Sequence, residues 1–287
     1  MKSLFAFLLT ICLFASCSED PIISQEPQLV VEGWIDSDNY PMVFVTTSLA
    51  IGRSDNLSSD LTDHLLKWAK VTVSDGTTEV VLTGKYMKNF YPPYGFTTTD
   101  LKGKCGNTYH LTVDYPPYHA EATTTIPPRP LIDSVTVAPL SPNDTLYGVK
   151  LHISENATPQ GGGYKLFAMR KNKDSYPLSC YMGTFQASIL NLPTQLPVYN
   201  VHKMDYKEFS PYFGPTDTLS IKAAVVDNDA LQFWNAFESY VSLSKSPFLA
   251  PNENIKGNVT GALGYWFGYG CNSYVVYPPA TLKNNCQ

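Results

Sequence analysis

The chain has 287 residues, 20 Lys+Arg against 25 Asp+Glu for a formal charge of −5, and is 44% hydrophobic and 13% aromatic. That apolar and aromatic content excludes a disordered chain, and an acidic balance without a basic cluster argues against binding nucleic acid through its phosphates. The length fits roughly two domains of about 100–150 residues, and 19 Tyr, 22 Pro and 18 Gly with only 16% charged residues point to strands and turns.

The first residues set the expected address. Lys2 precedes an almost unbroken apolar run, Leu4 to Phe14, too short to span a bilayer as a helix and of the length of a signal-peptide core. Phe14-Ala15-Ser16-Cys17 resembles the bacterial lipobox, so cleavage is expected before Cys17, with acylation of that cysteine. Several acyl chains anchor stably where one does not. Ser18-Glu19-Asp20 resembles the signal that sends lipoproteins of the Bacteroidota to the outer face of the outer membrane. The expected organisation is a signal peptide over residues 1–16, a lipidated Cys17 and tether over 17–27, and a mature chain of 271 residues.

Strand signals follow in order. Leu29 to Ile35 and Met42 to Ser48 are strand-like about a polar turn at Asp36–Asn39, and Ile51 to Asp63 reads as a long loop. Lys70 to Val73 and Glu79 to Thr83 flank Asp75-Gly76, a strong hairpin signal. Asn107 to Val113 and His119 to Ile126 alternate, with Tyr109, Leu111, Val113, Ala120, Ala122 and Ile126 expected inward. These short strands predict an immunoglobulin- or transthyretin-like sandwich over 28–127. Pro127-Pro128-Arg129-Pro130 then forms a stiff linker and the expected domain boundary.

The second domain, 131–287, is expected to be β-rich with one packed helix. Its strand candidates are Ile132 to Val137, Gly148 to Ile153, Tyr164 to Met169, Val198 to His202 and Thr218 to Val226. A helix is predicted over 228–241, capped by Asp227 or Asn228, with Leu231, Trp234, Ala236, Phe237 and Tyr240 as its apolar stripe. Phe248 to Asn258 reads as loop, and Gly261 to Gly268 as a Gly-rich strand.

Chemistry-bearing motifs are sparse. Of six cysteines, Cys12 leaves with the signal and Cys17 is lipidated, so Cys105, Cys180, Cys271 and Cys286 allow two disulfides in three connectivities. Cys271–Cys286 is the first choice, and Cys105–Cys180 follows by elimination. No zinc spacing occurs, and no cofactor is expected. Ser242-Leu-Ser-Lys245 and Ser54-Asp-Asn56 match two penicillin-recognising motifs, but in reversed order and without the third. Gly161-Gly-Gly163 lacks the Lys-Ser/Thr of a phosphate loop. On an outer face, His110 would oppose Glu121 or Thr123, without a third metal ligand. Asp133-Ser-Val135, Asp144-Thr-Leu146 and Asp217-Thr-Leu219 resemble the short Bacteroidota O-glycosylation signal.

The run Leu29-Val-Val-Glu-Gly-Trp-Ile35 after the tether resembles the opening of a Bacteroidota outer-membrane lipoprotein family, domain of unknown function 4249 (DUF4249). Further matches follow in order: Ala69 to Val73, Gly106 to Val113, Ala120 to Pro127, Ile132-Asp-Ser134, the helix with Trp234, Ser246 to Pro251, Asn258 to Gly264 and Tyr265-Trp-Phe267. The resemblance implies a β-rich outer-membrane lipoprotein, often encoded beside a TonB-dependent transporter of the SusC-like type. It implies no catalytic residues.

The aromatic loops are the remaining feature. Phe90-Tyr-Pro-Pro-Tyr-Gly-Phe96 and Tyr115-Pro-Pro-Tyr118 share a Tyr-Pro-Pro-Tyr core, and prolines lower the entropy cost of presenting rings. Tyr91, Tyr94, Phe96, Tyr115 and Tyr118 are therefore the expected ligand or partner patch. The expected function is a surface-exposed, non-catalytic accessory lipoprotein of a TonB-dependent nutrient-uptake complex. Its expected partners are a SusC-like transporter, a SusD-like lipoprotein and, through Cys17, outer-membrane lipid. A free-standing glycan- or peptide-binding adhesion module is the alternative, and a hydrolase the third reading.

Overall fold

The computed structural model describes residues 27–48, 62–142, 144–157, 162–201, 209–243 and 255–279. Its strands in chain order are β1 (Leu29–Asp36), β2 (Met42–Thr47), β3 (Lys70–Ser74), β4 (Glu79–Val81), β5 (Thr83–Tyr86), β6 (Tyr94–Thr97), β7 (Thr108–Tyr115) and β8 (Tyr118–Thr125). Then come β9 (Ile132–Pro139), β10 (Tyr147–Ile153), β11 (Gly163–Arg170), β12 (Leu178–Gln186), β13 (Thr194–Val198) and β14 (Leu219–Val226). Helix α1 (Asn228–Leu243) precedes β15 (Val259–Thr260) and β16 (Leu263–Val276).

Among the described residues the chain adopts the expected mainly β architecture with one packed helix. Period-2 alternation produces it: in β7 and β8, Tyr109, Leu111, Val113, Ala120 and Ala122 are buried while their neighbours along the strand are more exposed. The Asp75-Gly76 turn joins β3 and β4 as predicted. Asp75 Oδ1 accepts from the Thr77 and Thr78 amides at 3.0 and 2.8 Å, and those bonds hold its carboxyl below the usual range. Of the strand expected at Val198–His202, Val198 closes β13, Tyr199 to Val201 are not strand, and His202 lies outside the described residues. Strands β5, β6 and β12 were not legible, because Tyr94–Thr97 sits in a Pro/Gly-rich stretch and β12 pairs with β11 through an irregular register.

Three sheets form. The largest has eight strands in the order β12-β11-β14-β16-β1-β2-β6-β5, and its centre is β16. Leu263 to Tyr269 pairs in parallel with Val30 to Asp36 of β1. Gly270 to Val276 pairs antiparallel with Leu219 to Val225 of β14. The strand expected to end at Gly268 thus runs eight residues further and serves both halves of the chain. Pro127–Pro130 does run between the two halves, but the eight-stranded sheet crosses that boundary.

One face of this sheet carries both smaller sheets. Under the first half lies the five-stranded sheet β15-β8-β7-β3-β4, sharing a core of Val31, Ile35, Val43, Val71, Leu111, Trp266 and others. Under the second half lies β13-β10-β9, packed through Leu151, Leu196, Leu166, Ile221 and Val276. Alternation then sends the odd residues of β16, Tyr265, Phe267 and Tyr269, to the opposite face, where α1 packs on them. Asp227 caps α1, accepting from the Ala230 amide at 2.8 Å. The buried stripe is Ala230, Leu231, Phe233 and Trp234, with Phe237 half-buried; Ala236 and Tyr240, expected in the stripe, are exposed.

Where β16 pairs with β1, its other edge needs partners. Asn258 supplies them: its Oδ1 accepts from Trp266 N and its Nδ2 donates to Trp266 O, both at 2.8 Å, while Thr124 Oγ1 accepts from Gly268 N at 2.7 Å. Replacing Asn258 by Ala strands two backbone groups beside the core. We expect it to lower unfolding stability by about 2–4 kcal/mol in urea titration, whereas a loss under about 0.5 kcal/mol, the surface-substitution range, would show that water substitutes for the amide.

Candidate functional site

The outer face of the eight-stranded sheet is half covered. Helix α1 lies over the β12, β11, β14 and β16 side, and the β1–β2–β6 side is left as the floor of a cavity of about 820 Å³. That volume is in the range of small-molecule sites, roughly 300–1,000 Å³. The floor follows from strand register. Glu32, Trp34 and Asp36 of β1 face outward, flanked by Tyr265, Phe267 and Tyr269 on β16 and by Phe44 and Met42 on β2.

Two loops complete the enclosure. The β5–β6 loop brings Phe90 and Tyr91, and the β11–β12 loop brings Tyr176 and Pro177. These loops start near opposite edges of the sheet and meet where Phe90 stacks on Tyr176, centroids 4.9 Å apart and rings 16° from parallel. Phe90 also packs on Phe44 at 5.6 Å and Trp34 at 6.5 Å. On the helix side, Trp234 donates its indole N–H to Tyr269 Oη at 2.9 Å and meets Phe167 edge-on.

The short motifs that carried the family resemblance build this floor. In Glu32-Gly33-Trp34 the outer two side chains line the cavity, while Gly33 faces the core. A Cβ there would stand 2.8 Å from Trp266 Cε3, so glycine leaves room for the indole. In Tyr265-Trp266-Phe267 the parity is the same: Trp266 is fully buried and donates Nε1–H to Tyr109 O at 3.1 Å, and its neighbours face outward.

Glu32, Asp36, Lys85 and Lys222 are the charged residues that line the site, and a further ion pair, Lys165–Glu238, lies under the helix beside it. Lys222 Nζ lies 2.6 Å from Asp36 Oδ1 and over the Tyr269 and Phe167 rings at 4.5 and 4.9 Å. Lys165, wholly buried beneath α1, bonds Glu238 at 2.5 Å and Thr184 at 3.0 Å, which fastens the helix to β11 and β12. Burial depresses its ammonium although Glu238 opposes the shift. Glu32 differs. It lines the cavity as an exposed residue, yet protein surrounds it closely enough that desolvation raises its carboxyl above the usual range. No hydrogen bond or ion pair engages it among the described residues.

Of the expected patch, Tyr91 alone lines the cavity. Phe96 is corrected to a core residue, 2% exposed. Tyr94 packs against the first core and edge-on to Phe96. Tyr115 and Tyr118 face each other across the β7–β8 turn and pack on the same core, with Tyr118 Oη donating to Pro27 O at 2.8 Å. The two Tyr-Pro-Pro-Tyr segments are therefore not brought together, because one closes a hairpin at a sheet end and the other arches over the large sheet.

The expected Cys105–Cys180 bond is not formed. Cys180 is buried in the second core, where desolvation pushes its thiol up to about 12, and Cys105 is exposed in a turn of the first half. Cys271 is a free thiol beside Ser37, and Cys286 lies outside the described residues. So do Cys12, Cys17, Ser18, Glu19, Asp20, Ser54 to Asn56, Gly161, Ser246 to Pro251 and Lys245. His110 pairs with Thr123, its Nδ1 3.0 Å from Oγ1. His119 contacts Asp114 and Glu121, and those hydrogen bonds raise its pKa. Among the described residues no cluster of His, Cys, Asp or Glu could hold a metal ion. Ser134 and Thr145 of the glycosylation-like motifs are exposed, and Thr218 is half-buried.

Fold and site together define a mainly β protein with a ligand-sized aromatic cavity on the outer face of its central sheet. The family model described as Domain of unknown function (DUF4249) matches residues 18–274, and the chain belongs to that family. No curated protein matches it.

Sequence reasoning missed Glu32, Trp34, Phe44, Tyr176 and Tyr265 as site residues. Their outward parity was readable, but nothing in one strand says which face another element leaves uncovered. A carboxyl raised in the folded state costs no stability below its ordinary pKa of 4.5 and increasingly opposes folding as pH rises through the folded value. Glu32→Gln is therefore expected to raise Tm at pH 7, by roughly 2–4 °C per kcal/mol relieved, and to leave it unchanged near pH 4. An equal or lower Tm at pH 7 would show that Glu32 is satisfied in the folded protein.

Proposed function

We propose that this protein is a non-catalytic capture lipoprotein of the outer membrane, which binds a small ligand with an apolar, ring-bearing body and hands it to a TonB-dependent transporter. The observation that carries the reading is the cavity: about 820 Å³, walled largely by aromatic side chains from both halves of the chain, with Glu32, Asp36, Lys85 and Lys222 as its charged groups. Sites of that composition bind by burying rings and orient the ligand with isolated polar groups. Among the described residues lining the cavity no nucleophile is paired with a base, which favours binding over hydrolysis.

The lipobox-like segment supplies the anchoring half of the proposal, and among the described residues no helix is long and apolar enough to cross a membrane. An acylated Cys17 would hold the chain near the sheet end where Tyr118 bonds Pro27. β1 then runs from Leu29 toward Asp36, about 23 Å at ~3.3 Å per residue, carrying the Asp36–Tyr40 end of the cavity away from the tether.

Two measurements test this. Cys17→Ser is expected to release the protein from the membrane fraction, and the native lipoprotein is expected to copurify with a barrel transporter in mild detergent. Extraction of the acylated protein alone under those conditions overturns the accessory role and leaves a free-standing binding protein.

A further inference from the structure

The capture reading leaves the ligand's charge open, and the cavity floor bears on it. Glu32 is the one lining carboxylate without a protein partner among the described residues, since Asp36 is held by Lys222 at 2.6 Å. Aromatic rings enclose it. Phe44 is its cross-strand neighbour on β2 and Tyr265 on β16, and above these stand Trp34, Phe90 and Tyr176, the last two stacked at 4.9 Å. Phe44 packs against Gly95, where a Cβ would stand 2.8 Å from its Cε1, so glycine on the strand beyond leaves room for the ring.

The remaining lining cation, Lys85, sits on β5, beyond β2 and β6. At a strand spacing of about 4.8 Å its Cα is roughly 14 Å from that of Glu32, which puts it at the rim and out of pairing range.

A carboxylate inside a set of aromatic faces is a site of one sign. Ring faces carry negative potential and attract cations, the more strongly when desolvated. An anion would be repelled by both. A neutral polyol would satisfy the carboxylate and leave the ring faces to weak CH contacts. An organic ammonium uses both features at once.

We infer that the cavity takes an organic ammonium compound, its cationic head against Glu32 between Trp34, Phe44, Phe90, Tyr176 and Tyr265, and its apolar body extending toward Trp234. This rests on the capture reading and narrows its ligand class. The volume exceeds a trimethylammonium head severalfold, so a larger ring-bearing amine fills the site better than the head alone.

The test uses detergent-solubilised full-length protein and isothermal titration calorimetry. Choline is compared with 3,3-dimethyl-1-butanol, which has the same shape with carbon in place of the charged nitrogen, and with benzyltrimethylammonium. Choline is expected to bind at least about tenfold more tightly than its neutral isostere, a difference worth about 1.4 kcal/mol. Benzyltrimethylammonium is expected to bind more tightly still. Glu32→Gln, whose folding is checked by its melting curve, is expected to remove the preference for charge.

Equal binding of choline and the alcohol, unchanged discrimination in Glu32→Gln, or no binding of either ammonium probe overturns the inference. Equal binding leaves the capture reading intact with an uncharged ligand. Failure of that reading shows separately, as extraction without a transporter.

Discussion

The structure depends on one strand being shared. β16 is the last of the described strands, yet its first seven residues pair with β1, the first of them, and its last seven with β14, so the two halves have a continuous hydrogen-bonded sheet in common. Parallel pairing between the first and last strands uses nearly the whole chain as its connection, a contact of very high sequence separation. Everything that packs on either face inherits its position from that register. The two small sheets share one face, and α1 and the cavity share the other.

Local conflicts along β16 are resolved by single side chains. Trp266 would collide with any side chain at position 33, and Gly33 removes the collision. Gly264 has φ +107° and places its Cα so close to Val31 that a Cβ would lie 1.9 Å from the Val31 carbonyl oxygen, so glycine permits the strands to meet at the start of the pairing. Asn258 stands in for a missing neighbour strand on the other edge. These residues explain why the short stretches around Glu32-Gly33-Trp34 and Tyr265-Trp266-Phe267 read together: they are adjacent in the sheet and form one wall of the core and one floor of the cavity.

Local pattern was the legible part of the fold. Alternating strands such as β7 and β8, the Asp75-Gly76 hairpin and α1 are encoded over a few residues and could be read directly. The full length of β16 could not, because Gly268, Gly270 and the polar Asn272 and Ser273 interrupt its hydrophobic pattern, and only tertiary pairing with β14 holds them extended. The site was less legible still. Tyr91 was expected, but Phe96 is core, and the cavity's other rings come from strands and loops far apart in sequence. Abundant Tyr and Phe signalled that rings matter without saying which face they would occupy. The expected Cys105–Cys180 link failed for a similar reason: counting cysteines says nothing of the depth at which each lies.

The most direct test of the shared strand is native-state hydrogen exchange along β16. If the two halves form one cooperative unit, protected amides of Leu263 to Tyr269 and of Gly270 to Val276 should exchange with a single opening free energy equal to that of global unfolding. Two distinct opening free energies, with the break near Tyr269, would contradict the account and make the halves independent domains that merely touch.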